Sequence, residues 1–241
     1  MQVFRNESES LIEFPLLEVQ EMYKDYIDAT YFIENMLKDI YFELKENGHY
    51  LVLDESLFSS NEWLRITLND VLNKYYDKTC DLSNDESVAE ELVKLGYEPK
   101  ENVEMNRAKL IDFIIKNSIL NELKQPVFIL DYPKIVSPLA KTKIGTKSAE
   151  RGYLFICGVR LAEVVTEENN PKEQKAAFEL QDEMLGGKNH FHKDLVESLE
   201  YGFPTSFGIG LNINRLVSLF VGQNNLEMTT FFPLSMSKIN K

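Results

Sequence analysis

The chain has 241 residues, 44% of them hydrophobic, enough to bury the core of one large domain or of one domain with an insertion. Its 39 acidic and 26 basic residues give a net charge of −13, which opposes non-specific attraction to nucleic acid or an anionic membrane but allows a local basic patch. Cys80 and Cys157 show no metal-ligand spacing, the stretch Met1 to Phe14 carries Arg5, Glu7, Glu9 and Glu13 in place of an apolar signal core, and no apolar run approaches the ~20 residues of a membrane helix. A reduced, cytoplasmic protein is expected.

Gln2 to Phe4 and Leu11 to Val19 read as short strands joined by the polar turn Ser8-Glu9-Ser10. Met22, Tyr26, Ile33, Leu37, Ile40 and Leu44 then recur at helical spacing, which predicts a helix over Glu21 to Asn47 that ends at Gly48. Strands are expected at His49 to Leu53 and around Trp63 to Ile66. Thr67 with Asp70 has the form of an N-cap for a helix over Leu68 to Tyr76. A second helix follows Asp85 and stops at Gly96, and a third covers Asn106 to Leu123.

Pro126 introduces Val127 to Leu130, an apolar run suited to a strand buried on both faces. Lys141 to Glu150 is a charged linker, and Tyr153 to Ile156 and Leu161 to Thr166 are two strands hinged at Gly158. Pro171 opens a helix over Lys172 to Met184, and Asp194 to Tyr201 forms another. Gly208 to Ile213 reads as a glycine-bearing strand feeding a helix from Arg215 to Val221. Strands and helices mix without strict alternation, which indicates an α+β fold with a largely antiparallel sheet.

Four segments carry chemistry-bearing residues in a recognisable order. The first is Phe4-Arg5-Asn6-Glu7, followed by Glu13-Phe14-Pro15-Leu16-Leu17-Glu18 and Tyr23-Lys24-Asp25-Tyr26. The second runs from Phe128 through Asp131-Tyr132-Pro133 to Ser137-Pro138-Leu139-Ala140-Lys141, and the third from Glu163 to Pro171. The fourth begins at Gly208, passes Asn214-Arg215-Leu216 and ends at Phe231-Phe232-Pro233. Together they resemble the catalytic domain of class II lysyl-tRNA synthetases, entered at motif 2 and followed through motif 3. The resemblance spans the whole chain, and four segments in order are far more specific than any one of them.

The resemblance implies a class II synthetase core, a mainly antiparallel sheet flanked by helices over residues 1–241, with a small helical insertion at about 67–125. It implies an aminoacyl-adenylate reaction, in which the amino-acid carboxylate attacks the α-phosphorus of ATP. Two anions must then be brought together, and an arginine fork can bridge both. Arg5 would hold that catalytic position, Glu7 would face the adenine amino group, Phe14 would stack on the ring, and Arg215 would clamp the γ-phosphate. Glu167 would receive the lysine ammonium, because a buried ammonium requires a carboxylate. Glu163 and Gln20 would complete the amino-acid pocket. Without the resemblance, Arg5 and Glu7 fit a cross-strand ion pair. Glu163 and Glu167 equally fit a solvated acidic stretch.

Several positions depart from the family. The segment that makes the usual dimer interface, motif 1, and the anticodon-binding barrel have no counterpart in the sequence. The motif 2 loop, Ser8 to Ile12, is short and lacks basic residues. Arg160 stands where the family has a magnesium-binding glutamate, and Tyr153 where a second acid is common; a cation cannot neutralise metal charge. Arg160 could instead supply a fixed positive charge. Glu163 replaces a pocket asparagine, Gln20 a pocket tyrosine, and Asn212 and Asn214 replace a glycine and an acid of motif 3. Two inward-facing acids would favour a ligand more cationic than lysine's zwitterion, such as a diamine or a carboxyl-modified lysine, unless one is paired within the fold; Arg160, of opposite strand parity to Glu163, supplies that cation only if the strand is bulged. His190 and His192 lack a third ligand, and no metal site is assigned to them.

The expected function is ATP-dependent lysine activation and aminoacyl ligation at reduced activity, with conventional tRNA charging disfavoured. Transfer onto a protein, as by the elongation factor P lysyltransferases, is a variant of it. The alternative is a non-catalytic paralogue that binds an amino acid or nucleotide. Arg5, Glu7, Glu167 and Arg215 favour the enzyme; Arg160 and the short loop favour the alternative.

Overall fold

The computed structural model of the chain describes residues 13–75, 82, 84–99, 103–115, 117, 124–184 and 193–233. Six strands form one sheet in the order β1-β6-β5-β4-β3-β2. They are β1 (Leu16–Met22), β2 (Leu64–Thr67), β3 (Val127–Leu130), β4 (Arg151–Ile156), β5 (Val159–Thr166) and β6 (Ser206–Asn212). Only β2 and β3 pair in parallel; the other four pairings are antiparallel. The chain is thus α+β, as its sequence predicts.

The first long helix, α1 (Tyr26–Glu46), begins later than the apolar spacing suggests. Glu21 and Met22 remain in β1, Tyr23 turns the chain with φ of 64°, and Asp25 caps the helix by accepting from the Ile27 and Asp28 amides. The Asp28 carboxylate accepts from the Asp25 amide in return, a capping box that satisfies donors the helix cannot. Tyr26, Ala29, Ile33, Leu37 and Tyr41 form the buried stripe. It packs on Phe128, Leu130, Leu154, Leu161, Ala162, Val164, Phe207, Ile209 and Leu211, the apolar residues of one sheet face.

The stretch from 49 to 53 is not a strand. Its backbone meets helix α8 (Ile213–Val221), where the Val52 amide donates to the Phe220 carbonyl. After the one-turn α2 (Ser56–Ser59) and β2, three helices precede β3: α3 (Leu68–Tyr75), α4 (Asp85–Lys94) and α5 (Val103–Ile114). Thr67 and Asp70 exchange side-chain and backbone hydrogen bonds at the start of α3, as their spacing predicts. Helix α5 begins three residues before the expected Asn106, and its predicted end at Leu123 lies outside the described residues. Leu68 and Val71 of α3 and Ile111 of α5 cover Val127, Ile129 and Phe155 on the second sheet face.

Helices α6 (Pro171–Met184) and α7 (Lys193–Glu200) follow β5, and α8 follows β6 directly. Near β2, β3 and β4 the second sheet face is therefore covered. At its other end, among the described residues, Leu16 and Glu18 of β1 are exposed, and Gly208 and Gly210 of β6 carry no side chain to fill the surface between β1 and β5. That half of the face positions the candidate site.

Candidate functional site

Directly paired residues in adjacent strands share a face. One such row crosses four strands as Glu18, Gly210, Glu163 and Tyr153, and the next runs Gln20, Gly208, Val165 and Arg151. Both lie on the second sheet face, opposite α1. Glycine at 208 and 210 keeps this floor low between the side chains of β1 and β5.

The turn between β4 and β5 consists of Cys157 and Gly158, both at positive φ (49° and 79°), as a two-residue hairpin of the right twist requires. Beyond it β5 is bulged: Leu154 pairs with Ala162 but Phe155 with Arg160, so Leu161 is an extra residue. The bulge cancels the odd spacing between Arg160 and Glu163. On a regular strand the two would face opposite ways; here both face the second side of the sheet, and Arg160 sets its guanidinium 4.9 Å over the Tyr153 ring.

Arg160 is nevertheless not the cation that matches Glu163. That partner is Arg151, whose Nε lies 2.6 Å from Glu163 Oε1. The contact is an ion pair with no aligned hydrogen bond, since Arg151 Nε finds no acceptor in line. Arg151 also donates from Nη2 to the Tyr153 hydroxyl. Burial disfavours the Arg151 charge, but Tyr153 and Glu163 outweigh it and leave its pKa above the ordinary arginine value. The argument for a ligand more cationic than lysine required two unmatched acids, and Arg151 removes one of them.

The unmatched acid is Glu167. Its backbone joins β6, where the Glu167 amide donates to the Ser206 carbonyl at 2.9 Å, and its carboxylate lies over Gly208. A Cβ at position 208 would come within 2.2 Å of Glu167 Oε1. Among the described residues, none donates a hydrogen bond to this carboxylate or pairs with it. Burial raises its pKa, and the nearby charges of Glu163 and Glu18 raise it further. Gln20 stands opposite Gly208 on β1 and donates to the Ser206 hydroxyl at 3.3 Å.

A cleft of about 270 Å³ opens beside this floor, lined by Phe14, Tyr153, Arg160, Glu163, Asn212 and Arg215 among others. Asn212 caps α8 by accepting from the Arg215 amide, which places Arg215 in the first helical turn; its Nη1 donates to the Arg160 carbonyl at 3.0 Å. The structure thus brings Phe14, Glu163 and Arg215 together, with Glu167 and Gln20 on the same face farther along β6. Arg5, Glu7 and the loop from Ser8 to Ile12 lie outside the described residues, as do His190 and His192. Arg151 was not anticipated from the sequence, and Glu18 and Gly208 stood there only as members of the first and fourth segments, without a role in the pocket. Arg151 and Tyr153 share strand parity, which was a usable signal; the contact with Glu163 depends on a cross-strand register that no local pattern reveals.

A divalent cation does not fit the described part of this cleft. The carboxylate lining it, Glu163, is already paired with Arg151, and Arg160 brings a positive charge beside it. Hard cations need several oxygen ligands, mostly anionic. Among the described residues no group of three or more acids, histidines and cysteines could hold a metal ion.

The mainly antiparallel sheet thus carries on one face a cleft lined by Arg160 and Arg215 and, beside it, a recessed acid, Glu167. A family profile, tRNA synthetases class II (D, K and N), matches residues 1–236, and the chain belongs to that family. The lysine–tRNA ligase of Moorella thermoacetica is 32% identical over 245 residues, 98% of this chain and 50% of that protein. The lysine–tRNA ligase of Sulfolobus acidocaldarius is 30% identical, over 98% of this chain and 49% of its own length. That of Prochlorococcus marinus is 28% identical, over 98% and 48% respectively. The chain spans about half the length of the curated relatives it matches.

Proposed function

We propose that the chain binds lysine, or a cationic analogue, with its side-chain ammonium on Glu167, and ATP across Phe14 and Arg215, and joins them as an aminoacyl-adenylate more slowly than a complete synthetase. The observation that carries this reading is the half-buried Glu167 carboxylate over Gly208, raised in pKa and unmatched among the described residues. An ammonium there would restore the ionised form and replace the lost hydration. Lysine–tRNA ligases at about 30% identity are named for the same amino acid.

In the reaction, a lysine carboxylate oxygen forms a bond to the α-phosphorus of ATP while the bond to the departing pyrophosphate breaks. Arg5 bridges the carboxylate and the α-phosphate, Glu7 accepts from the adenine amino group, Phe14 stacks on the ring, and Arg215 holds the far phosphate. Gln20 and the Glu163–Arg151 pair shape the walls of the amino-acid pocket. The adenylate is then passed to an acceptor; a protein acceptor fits the acidic surface better than tRNA does, and a cytoplasmic location fits both. Among the described residues no helix is long and apolar enough to cross a membrane. We take α3, α4 and α5 as the small helical insertion.

Arg160 and Tyr153 in the cleft favour a second reading, a non-catalytic paralogue that binds amino acid or nucleotide as a signal. Two measurements separate the readings. Isothermal titration of lysine should show binding that Glu167→Gln abolishes, and its absence in the parent protein would end both lysine readings. Pyrophosphate exchange with lysine should be detectable but below the ~1 s⁻¹ of an ordinary enzyme. No exchange at all, with lysine binding intact, selects the binding protein.

A further inference from the structure

The cleft that holds Phe14 and Arg215 must receive a triphosphate if the proposed function is correct, and its lining determines how that charge is neutralised. Two routes exist in general. A divalent cation can sit between phosphate oxygens and protein carboxylates, or guanidinium groups can meet the oxygens directly. The described lining lacks what the first route needs, because its acid, Glu163, is held by Arg151 at 2.6 Å.

It has what the second route needs. The bulge at Leu161 turns Arg160 onto the cleft face, where its planar head lies 4.9 Å over the Tyr153 ring. Tyr153 is itself fixed, edge to face with Tyr132 at 5.0 Å and holding a hydrogen bond from Arg151. Arg151 also approaches the same ring, 5.1 Å from its centroid. The Tyr153 ring therefore contacts two guanidinium groups. The charge of Arg151 is matched by Glu163, whereas Arg160 has no carboxylate partner among the described residues. Arg215 reaches the backbone of Arg160 from α8 and lines the same cleft. Like charges gathered in one cleft are relieved by an anion, and a guanidinium braced against an aromatic face retains N–H donors for one.

We infer that this cleft binds the triphosphate of its nucleotide without a divalent cation, with Arg160, braced on Tyr153, standing in the place where a metal would otherwise sit. The inference rests on the nucleotide-binding half of the proposed function. Its consequence is a reversed preference: metal-free ATP carries more negative charge than its magnesium complex, so it binds as well or better.

The test is calorimetric titration of ATP into the whole chain, once in excess EDTA and once in excess magnesium, with lysine titration as an independent check of the Glu167 pocket. The expected result is an affinity in EDTA equal to or greater than that in magnesium, with Arg160→Glu weakening the EDTA value by roughly tenfold or more. Arg160 is exposed, and a thermal melt of the variant that matches the parent excludes misfolding; Arg160→Gln provides a milder second variant, expected to lose affinity in EDTA to a smaller extent. Binding only in magnesium, or Arg160 variants that bind like the parent in EDTA, overturns the inference while leaving lysine recognition intact. Absence of ATP binding under both conditions overturns the inference and the nucleotide half of the proposed function together.

Discussion

Glu167 is a carboxylate that the fold disfavours in its charged form. Burial comes first among the causes and the charges of Glu163 and Glu18 follow, so its folded pKa lies above that of an unfolded glutamate. The native state then binds more protons than the unfolded state across the interval between the two values. Stability is greatest below the unfolded pKa and falls as pH rises through the folded one. Glu167→Gln should therefore be more stable than the parent at pH 7, with the difference vanishing at low pH in denaturant titrations. Lysine binding runs the other way, because an ammonium needs the ionised acid. Affinity should fall on acidification through a pH above the ordinary glutamate range, with protons released on binding near it; a flat profile from pH 7 to pH 4 would remove Glu167 from the pocket. Gly208 makes the same point by geometry. A methyl at 208 meets the movable end of Glu167 rather than backbone, so Gly208→Ala should change the melting temperature little and displace the carboxylate. Lysine affinity is expected to drop about tenfold or more, the value of one misplaced charge contact. Unchanged affinity would mean that the carboxylate does not work from this position.

At the scale of elements, the bulge in β5 matters most for the site, because it sets Arg160 and Glu163 on one face. The helical stripe of α1, the Thr67–Asp70 cap, the buried run of β3 and the Gly158 hinge could be read from residue spacing, since each depends on contacts within a few positions. The bulge, the ion pair from Arg151 to Glu163 and the non-strand character of 49–53 could not, because each is decided by what lies alongside after folding. The same distinction governs how α1 is tied to β2. Glu34 on α1 is buried and meets Arg65 Nη2 at 2.7 Å, Lys38 Nζ at 2.6 Å and the Trp63 amide at 3.0 Å. Arg65 also donates to Thr30 and packs 3.8 Å over the Tyr31 ring. Glu34→Ala leaves two cations and an amide around an apolar gap, and should cost about 3–5 kcal/mol in chemical denaturation. A loss below about 1 kcal/mol would show that water reaches and solvates the network.

For the whole molecule, the sheet order explains why one surface can serve a ligand of both charges. Among the described residues, helices α3 and α5 cover the second face over β3 and β4, and Glu167 and the arginine-lined cleft lie along β5 and β6 on the rest of it. The family and the four ordered segments made this site legible in outline. The contacts of Arg151 with Glu163 and of Gly208 with Glu167 became visible only when distant strands were paired. The basic cleft is small against a net charge of −13, and the difference decides what kind of anion can approach. A compact nucleotide feels mainly the nearby guanidinium groups, because beyond about 10 Å the field is screened at ordinary salt. A long polyanion spans many such lengths and meets the acidic remainder. Binding of tRNA releases counterions in proportion to the phosphates contacted, so the logarithm of affinity falls with that of salt at about −0.7 to −0.9 per contact. This chain should therefore show no tRNA binding tighter than about 10⁻⁴ M near 0.1 M salt, with a slope near zero wherever weak binding is measurable by fluorescence anisotropy. A slope steeper than about −3 would require several phosphate contacts on a cationic surface, and conventional tRNA charging would return as the activity of this chain.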